Sequence, residues 1–262
     1  MLTLAGIRLL SVRKNSSETA SVKTVRLGGE LEAVPGQFVM VWVPGKDEFP
    51  MSVSYPGSNF GITYQVLGEG TRALAEMANG KKVGIRGPYG RGFSIKGRKL
   101  LMIGGGVGMA PIAPLVDIAR AKRLSVDLVI GAKTSDDLLF ERRATRAGAK
   151  VHISTDDGTK GFKGFASELA TELLDSAGPD HVFACGPEKM IVKIVAAASR
   201  RKIPMQASLE RHMKCGIGIC DSCALDGVHV CKEGPVFPLE ELRKFGDLGV
   251  TKLDPAGRRV PV

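Results

Sequence analysis

Short apolar runs with polar residues interleaved dominate the first third of the chain. "SVKTVRL" (21–27), "QFVMVWV" (37–43), "MSVSY" (51–55), "FGITYQVL" (60–67) and "KKVGIRG" (81–87) are each followed by turn-forming residues. A period of two sends alternate side chains to opposite faces, and runs recurring roughly every ten residues predict a small antiparallel barrel. One stretch, "TRALAEMA" (71–78), has helical spacing instead. The opening "MLTLAGIRLLSVRKNS" is broken by Arg8 and Arg13 and offers no small-residue cleavage site, so it reads as a first strand and not a signal peptide.

From Lys99 the rhythm changes. "KLLMI" (99–103) is a buried strand that runs into "GGGVGMAP" (104–111) and a helix through Arg123. "VDLVI" (126–130), "KVHIST" (150–155) and "HVFAC" (181–185) follow, each with turn residues and a helical pattern behind it. Strands alternating with helices predict a doubly wound α/β domain, a parallel sheet covered on both faces. A cysteine-rich segment starts near 211 and closes on "GPVFPLEEL" (234–242), and "DPAGRRVPV" (254–262) reads as a loose tail. The expected organisation is a barrel over 1–96, an α/β domain over 97–210, a small C-terminal metal domain over 211–245 and a tail over 246–262.

Composition narrows the classes. Apolar residues make up 44% and charged residues 24% of the 262, the balance of an ordinary globular protein. No apolar run reaches the roughly 18 residues that a membrane span needs, so neither a span nor an export signal is expected and the cytoplasm is the expected location. The net charge of +10 invites a nucleic-acid reading. The basic residues are scattered, however, and the densest groups, "SRRK" (199–202) and "GRKL" (97–100), are short helix ends or turns. Without aromatic residues among them they form no stacking platform, and an acidic protein partner is the better use of the charge.

Four of the five cysteines are crowded into 17 residues as C-x4-C-x2-C-x7-C: Cys215, Cys220, Cys223 and Cys231. Nothing marks a secreted chain, which argues against disulfides. Structural zinc usually takes two C-x2-C knuckles set apart, and only Cys220 and Cys223 form one. The opening C-x4-C-x2-C is the spacing of plant-type [2Fe–2S] ferredoxins. Gly216 and Gly218 suit a chain curling so that backbone N–H groups meet sulfur. His212 and His229 flank the cysteines, but four thiolates already complete the ligand set. The cluster is preferred to zinc, which stays open as the rival.

The glycines Gly104, Gly105, Gly106 and Gly108 lie where a buried strand becomes a helix, a place where N–H groups and a helix N-terminus receive a diphosphate. They do not spell G-x-G-x-x-G, because Met109 occupies the third glycine position. "STDDG" (154–158) and Cys185, Gly186 and Pro187 of "ACGP" stand at other strand ends, where open parallel sheets bind ligands. Asp156 and Asp157 are either turn residues before Gly158 or acceptors for ribose hydroxyls. The second role would repel a 2′-phosphate and favour NAD over NADP. Cys185 is either a buried strand-end residue or a neighbour of the ligand.

With "PGQFVMVWVP", "PMSVS", "GEGT", "GPYGRGF", "GGGVGMAP", "DDG", "CGPEKM" and "SLERHMKCGIGICDSCALDGVHVCKEGPVF" in view, the chain resembles the ferredoxin–NAD(P) reductase superfamily. Within it the likeness is to the electron-transfer subunits of NAD-linked (type B) dihydroorotate dehydrogenases, and it extends from Met1 to about Phe245. The last segment is the specific one; the others occur in many flavin reductases. The resemblance implies FAD, one [2Fe–2S] cluster and NAD. It implies Cys215, Cys220, Cys223 and Cys231 as cluster ligands, and Phe49, Pro50, Met51 and Ser52 as the flavin-strand motif, with Ser52 on the ring. Thr63, Tyr64 and Gln65 form the next flavin strand, and Gly70 and Thr71 the diphosphate turn. The glycines at 104–108 and Cys185–Pro187 would dock nicotinamide. Two positions depart from the pattern: Phe49 replaces an arginine that pairs with the flavin diphosphate, and Met51 replaces a stacking aromatic. Arg72 and the helix dipole would replace the lost charge, and a thioether packs on a ring face.

The resemblance also implies a separate, FMN-bearing catalytic subunit that oxidises dihydroorotate, joined with this chain in a two-plus-two heterotetramer in pyrimidine (UMP) biosynthesis. Electrons would pass from it through the cluster and FAD to NAD+, and nothing in this chain would act on dihydroorotate alone. Related subunits serve hydrogenases, sulfide-linked reductases and ferredoxin–NAD(P) reductases, which are the alternative partners. A zinc-stabilised nucleotide-binding regulator is the reading from another class; it would be colourless, where flavin and cluster are yellow-brown.

Overall fold

Six strands close on one another at the N-terminal end of the computed structural model, which describes residues 3, 4 and 6–262; Met1, Leu2 and Ala5 of the expected first strand lie outside the described residues. They are β1 (Ile7–Ser17), β2 (Val22–Leu27), β3 (Phe38–Val43), β4 (Asp47–Tyr55), β5 (Gly61–Gln65) and β6 (Lys82–Tyr89), with α1 (Glu69–Ala75) between the last two. Each pairs antiparallel with its neighbour in the order β1-β2-β5-β4-β3-β6, and β6 returns to β1 through Arg8↔Ile85 and Leu10↔Val83. A register shift between Val12 and Lys14 lets β1 leave β6 and continue along β2, which closes the barrel.

Strand β3 shows why the apolar run at 38–43 is unbroken. Val39, Val41 and Val43 point inward to join Val12, Val25, Ile62, Tyr64 and Ile85 in the barrel core. Phe38 and Met40 point the other way and are equally buried, because the rest of the chain covers that face. Helix α1 starts two residues before the expected 71 and ends three before 78. The Thr71 hydroxyl accepts the Leu67 and Gly68 N–H groups at 2.9 and 3.0 Å and so opens the helix earlier.

The second unit is a parallel sheet. Strands β7 (Lys99–Gly105), β8 (Ser125–Ala132), β9 (Lys150–Thr155), β10 (His181–Cys185) and β11 (Met205–Ser208) stand in the order β9-β8-β7-β10-β11. Helices α2 (Met109–Ala121) and α3 (Glu141–Ala147) cover one face, while α4 (Ala166–Ser176) and α5 (Glu188–Arg201) cover the other. Progression outward from β7 runs one way to β9 and the other way to β11. The switch point therefore lies between the ends of β7 and β10, where Gly104 pairs with Cys185. Strand β11 escapes the periodicity reading because it spans four residues, all of them buried.

The cysteine segment is an excursion between β11 and β12 (Val236–Pro238), an edge strand running antiparallel to β11. Met213, Cys223, Leu225, Val230 and Cys231 enter the same apolar core as α5 and as Phe38 and Met40. The segment expected as a loose tail is instead ordered, as α6 (Leu239–Leu242) leads into a hairpin of β13 (Thr251–Leu253) and β14 (Arg259–Pro261). Asp247 anchors it, accepting from Thr251 and Arg259, and Leu248 is buried against the core. Composition misled here: local carboxylate hydrogen bonds and one apolar anchor fix a segment rich in polar and turn residues. Among the described residues no helix is long and apolar enough to cross a membrane.

Leu248→Ala is expected to lower unfolding free energy by about 2 kcal/mol, the low end for a buried leucine truncation, because only one anchor is lost. Chemical denaturation of the variant beside the parent protein measures it; an unchanged midpoint would mean that the hairpin docks without this anchor.

Candidate functional site

A cavity of about 930 Å³ opens between the barrel and the switch point of the sheet. Pro50, Met51 and Ser52 of β4 line the barrel side together with Thr63 and Gln65 of β5. Phe38 forms part of the same wall, and Thr19 and Ser21, from the turn between β1 and β2, complete it. Alternation decides who takes part. Thr63 and Gln65 face the cavity, whereas Tyr64 faces the barrel core, where burial pushes its phenol up to about 12. The Thr63 hydroxyl is held by Thr24 and Ser54 at 2.8 Å each.

Five other residues expected at the site do not line this cavity. The Phe49 ring packs over Gly70, where an added Cβ would lie 2.6 Å from it, so neither residue reaches the cavity wall. Thr71 spends its hydroxyl on the start of α1, also donating to the Gly68 carbonyl at 3.1 Å, and Arg72 donates to the Leu67 carbonyl at 3.0 Å. Gly104 lies under Met109 and is likewise off the wall.

On the sheet side, Gly105, Gly106 and Gly108 line the cavity opposite Cys185, Gly186 and Pro187. Gly108 must be glycine: a Cβ there would overlap the Cys185 carbonyl and the Gly186 Cα. That contact brings the two loops of the switch point into backbone apposition. Burial first, and then the nearby Glu210 charge, push the Cys185 thiol up to about 12, so it is a neutral group on the cavity wall. Asp156 lines the cavity and Asp157 does not. The Asp157 carboxylate accepts the Thr159 N–H and hydroxyl at 3.0 and 2.7 Å, which hold it below its usual range as the anchor of a turn.

Sequence reasoning missed the cations of this wall. Lys133 follows β8, and Lys189 and Lys193 lie four residues apart on α5. That spacing on one helix face was the available signal. Arg211, also on the wall, is paired with Glu188 just behind the Cys185–Pro187 loop, and the Arg211 side chain is 1% exposed. Its partner is 23 residues away in sequence, so no local pattern reveals it.

The cysteine loop tests whether a cluster fits. Gly216 and Gly218 both have φ of +74°, which turns successive amides toward sulfur. Ile217 and Ile219 N–H groups point at Cys215 Sγ at 3.5 and 3.4 Å, Gly218 N–H at Cys231 Sγ at 3.2 Å, and Cys231 N–H at Cys223 Sγ at 3.4 Å. Burial raises the Cys215 thiol, but the amides of Ile219, Ile217 and Cys220 and the Cys220 thiol outweigh it and bring it down to about 6. Cys231 is pushed up to about 12 by burial and by Cys223. Cys220 thus acts on Cys215, and Cys223 on Cys231. Among the described residues no three His, Cys, Asp or Glu side chains converge as a single-ion site. Four thiols on one loop, with amide donors aimed at three of the sulfurs, suit a cluster held by four thiolates. His229 is occupied by Asp221 at 2.5 Å.

Residues 210–243 match the iron–sulfur cluster binding domain of dihydroorotate dehydrogenase B, and 102–196 match an oxidoreductase NAD-binding domain. The chain is 45% identical over 260 residues to a probable dihydroorotate dehydrogenase B (NAD+) electron transfer subunit of Methanothermobacter thermautotrophicus, covering 97% of each chain. The chain belongs to this family of electron transfer subunits. A Thermoplasma volcanium protein of the same description is 42% identical, with 96% of this chain and 97% of that one covered. Among solved structures, an NADH-dependent reduced ferredoxin–NADP oxidoreductase studied for flavin-based electron bifurcation superposes with a TM-score of 0.80. It is 25% identical over 91% of each chain. The chain is therefore an oxidoreductase subunit of reductase fold, with an iron–sulfur cluster and NAD as cofactors. The zinc-regulator alternative falls away.

Because its thiol is held near 12, Cys185 is expected to stay unmodified by iodoacetamide at pH 8 in the native, cofactor-loaded protein. Peptide mass mapping checks this; rapid labelling at Cys185 would show a thiolate that this environment should suppress.

Proposed function

We propose that the chain is the electron-transfer subunit of an NAD-linked dihydroorotate dehydrogenase, receiving electrons from a separate catalytic subunit and delivering them to NAD+ in pyrimidine biosynthesis. The observation that carries this reading is a cavity shared by barrel and sheet, with the cysteine segment packed in the same apolar core as Phe38 of its wall and the nearby Met40. When bound, FAD would exchange one hydride, an electron pair with its proton, with nicotinamide and single electrons with a [2Fe–2S] cluster.

The residues divide the work. Cys215, Cys220, Cys223 and Cys231 would hold the cluster through their four thiolates. Pro50, Met51 and Ser52 seat the flavin ring against Thr63 and Gln65, while Phe49, Tyr64, Gly70 and Thr71 shape that seat from behind. Gly105, Gly106 and Gly108 admit the nicotinamide nucleotide to the backbone opposite Gly186 and Pro187, with Gly104 beneath. Lys133, Lys189 and Lys193 offset phosphate charge, Asp156 accepts ribose hydroxyls and Asp157 fixes its turn. Cys185 presents a neutral S–H beside the ring, which excludes water without adding charge.

The partner is an FMN-bearing subunit in a two-plus-two assembly. Cys220 is exposed at the loop tip, and Ile217 and Ile219, 44% and 74% exposed, flank it. Exposed apolar residues beside the proposed ligands support docking of the partner there.

Protein purified without oxygen is expected to contain about two irons and two labile sulfides per chain. Cys220→Ser should lose them and keep FAD, as measured by metal analysis and flavin chromatography; stoichiometric zinc would overturn the assignment. The loaded chain should reduce dyes with NADH yet leave dihydroorotate untouched until the catalytic subunit is added, and Cys220→Ser should abolish that coupled orotate formation. Dihydroorotate turnover by the isolated chain, or coupling without a cluster, would defeat it.

Asp156→Ser should raise the NADPH-to-NADH ratio of kcat/KM roughly tenfold, as expected for removing about 1.4 kcal/mol of repulsion. An unchanged ratio would make Asp156 another turn residue.

A further inference from the structure

Between the cavity and the cysteine loop stand the side chains of Phe38, Met40 and Tyr89, and one arginine pins their outer edge. In the barrel Phe38 stands opposite Ser52 on one side and Tyr89 on the other, while Met40 stands opposite Pro50 and Arg86. The Phe38 and Tyr89 rings are 6.0 Å apart. The loop backbone rests on the far side: a Cβ added to Gly216 would come within 3.0 Å of Met40 and 3.4 Å of Tyr89.

Arg86 crosses this edge. Its Nε and Nη2 donate to the Glu48 carboxylate at 2.7 Å each, Nη1 reaches the Tyr89 hydroxyl at 3.4 Å, and Nη2 also donates to the Cys215 carbonyl at 3.3 Å. Glu48 and Arg86 lie on the two strands that flank β3, so the pair straddles that strand. The Arg86 and Glu48 side chains are 18% and 26% exposed, which shields the bidentate contact from water. An ordinary surface ion pair has no use for the third and fourth contacts. A planar guanidinium serves all of them at once, whereas a lysine ammonium is a point donor on a flexible stem.

We infer that Arg86, anchored by Glu48, is a positioning residue that holds the Cys215 carbonyl, and with it the cysteine loop, at a fixed distance from the flavin-cavity wall. This rests on the reading of Cys215–Cys231 as the cluster loop. Arg86 touches neither the cavity nor a thiol; it acts through the loop backbone.

The test uses the full chain loaded with FAD and cluster, mixed anaerobically with NADH while flavin and cluster bleaching are followed separately. NADH supplies two electrons to the flavin, and the cluster accepts one of them. In Arg86→Lys, Arg86→Met and Glu48→Gln, flavin bleaching should proceed at the parent rate. Cluster bleaching should slow roughly ten- to a hundredfold, the scale of losses from ångström-sized misplacement. The EPR spectrum of the reduced cluster should change in the same variants, a readout independent of turnover. Parent-like cluster bleaching and EPR spectra in variants with full iron and sulfide would overturn the inference. If Arg86→Met loses its cluster, Arg86→Lys and Glu48→Gln decide by the same two outcomes. Absence of iron from the parent protein would instead defeat the cluster reading.

Discussion

Burial of β3 on both faces is the constraint on which the rest depends. Val39, Val41 and Val43 complete the barrel core, while Phe38 and Met40 form the surface on which the sheet unit and cysteine loop are built. A strand of six residues cannot shift register by one without exchanging these two sets. Its position therefore fixes the Ser52 strand on one side, the Arg86 strand on the other and the loop beyond. Cavity and cysteines are neighbours because they share this strand.

Charge completes what apolar packing begins. Arg91 forms a two-contact pair with Glu241, and its N–H donates to the Gly234 carbonyl, so the stretch after β6 holds the far end of the cysteine segment. At the other end, Arg211 and Glu188 join the segment to the start of α5, and Gly249 N–H adds the C-terminal hairpin to the same carboxylate. Removing one member of such a buried pair typically costs about 3–5 kcal/mol, because the other charge is left without a partner. Several of the basic residues behind the +10 charge are thus internal ties and not a binding face.

Much of this was legible from residue order. Period-two runs located the barrel strands, apolar runs followed by glycine located β7 and β10, and C-x4-C-x2-C marked the metal loop. The failures have separate causes. Strand β11 is too short and too uniformly buried to show a period, α1 moved because a hydroxyl capped it early, and the tail is held by carboxylates whose partners are close in space. Asp156 and Asp157 look alike in sequence; only the cavity wall and the hydroxyl of Thr159 separate them.

Residue order by itself determined which segments are strands, where the chain turns, and that four thiols with three intervening glycines form one loop. These follow from side-chain period, backbone freedom and spacing, all local properties. The tertiary structure alone decided that Phe49 lies over Gly70, that Tyr64 faces inward while Thr63 and Gln65 face the cavity, and that Arg86 meets a carbonyl 129 residues away. Long-range pairing depends on which faces pack together, and alternation names the faces without naming what covers them.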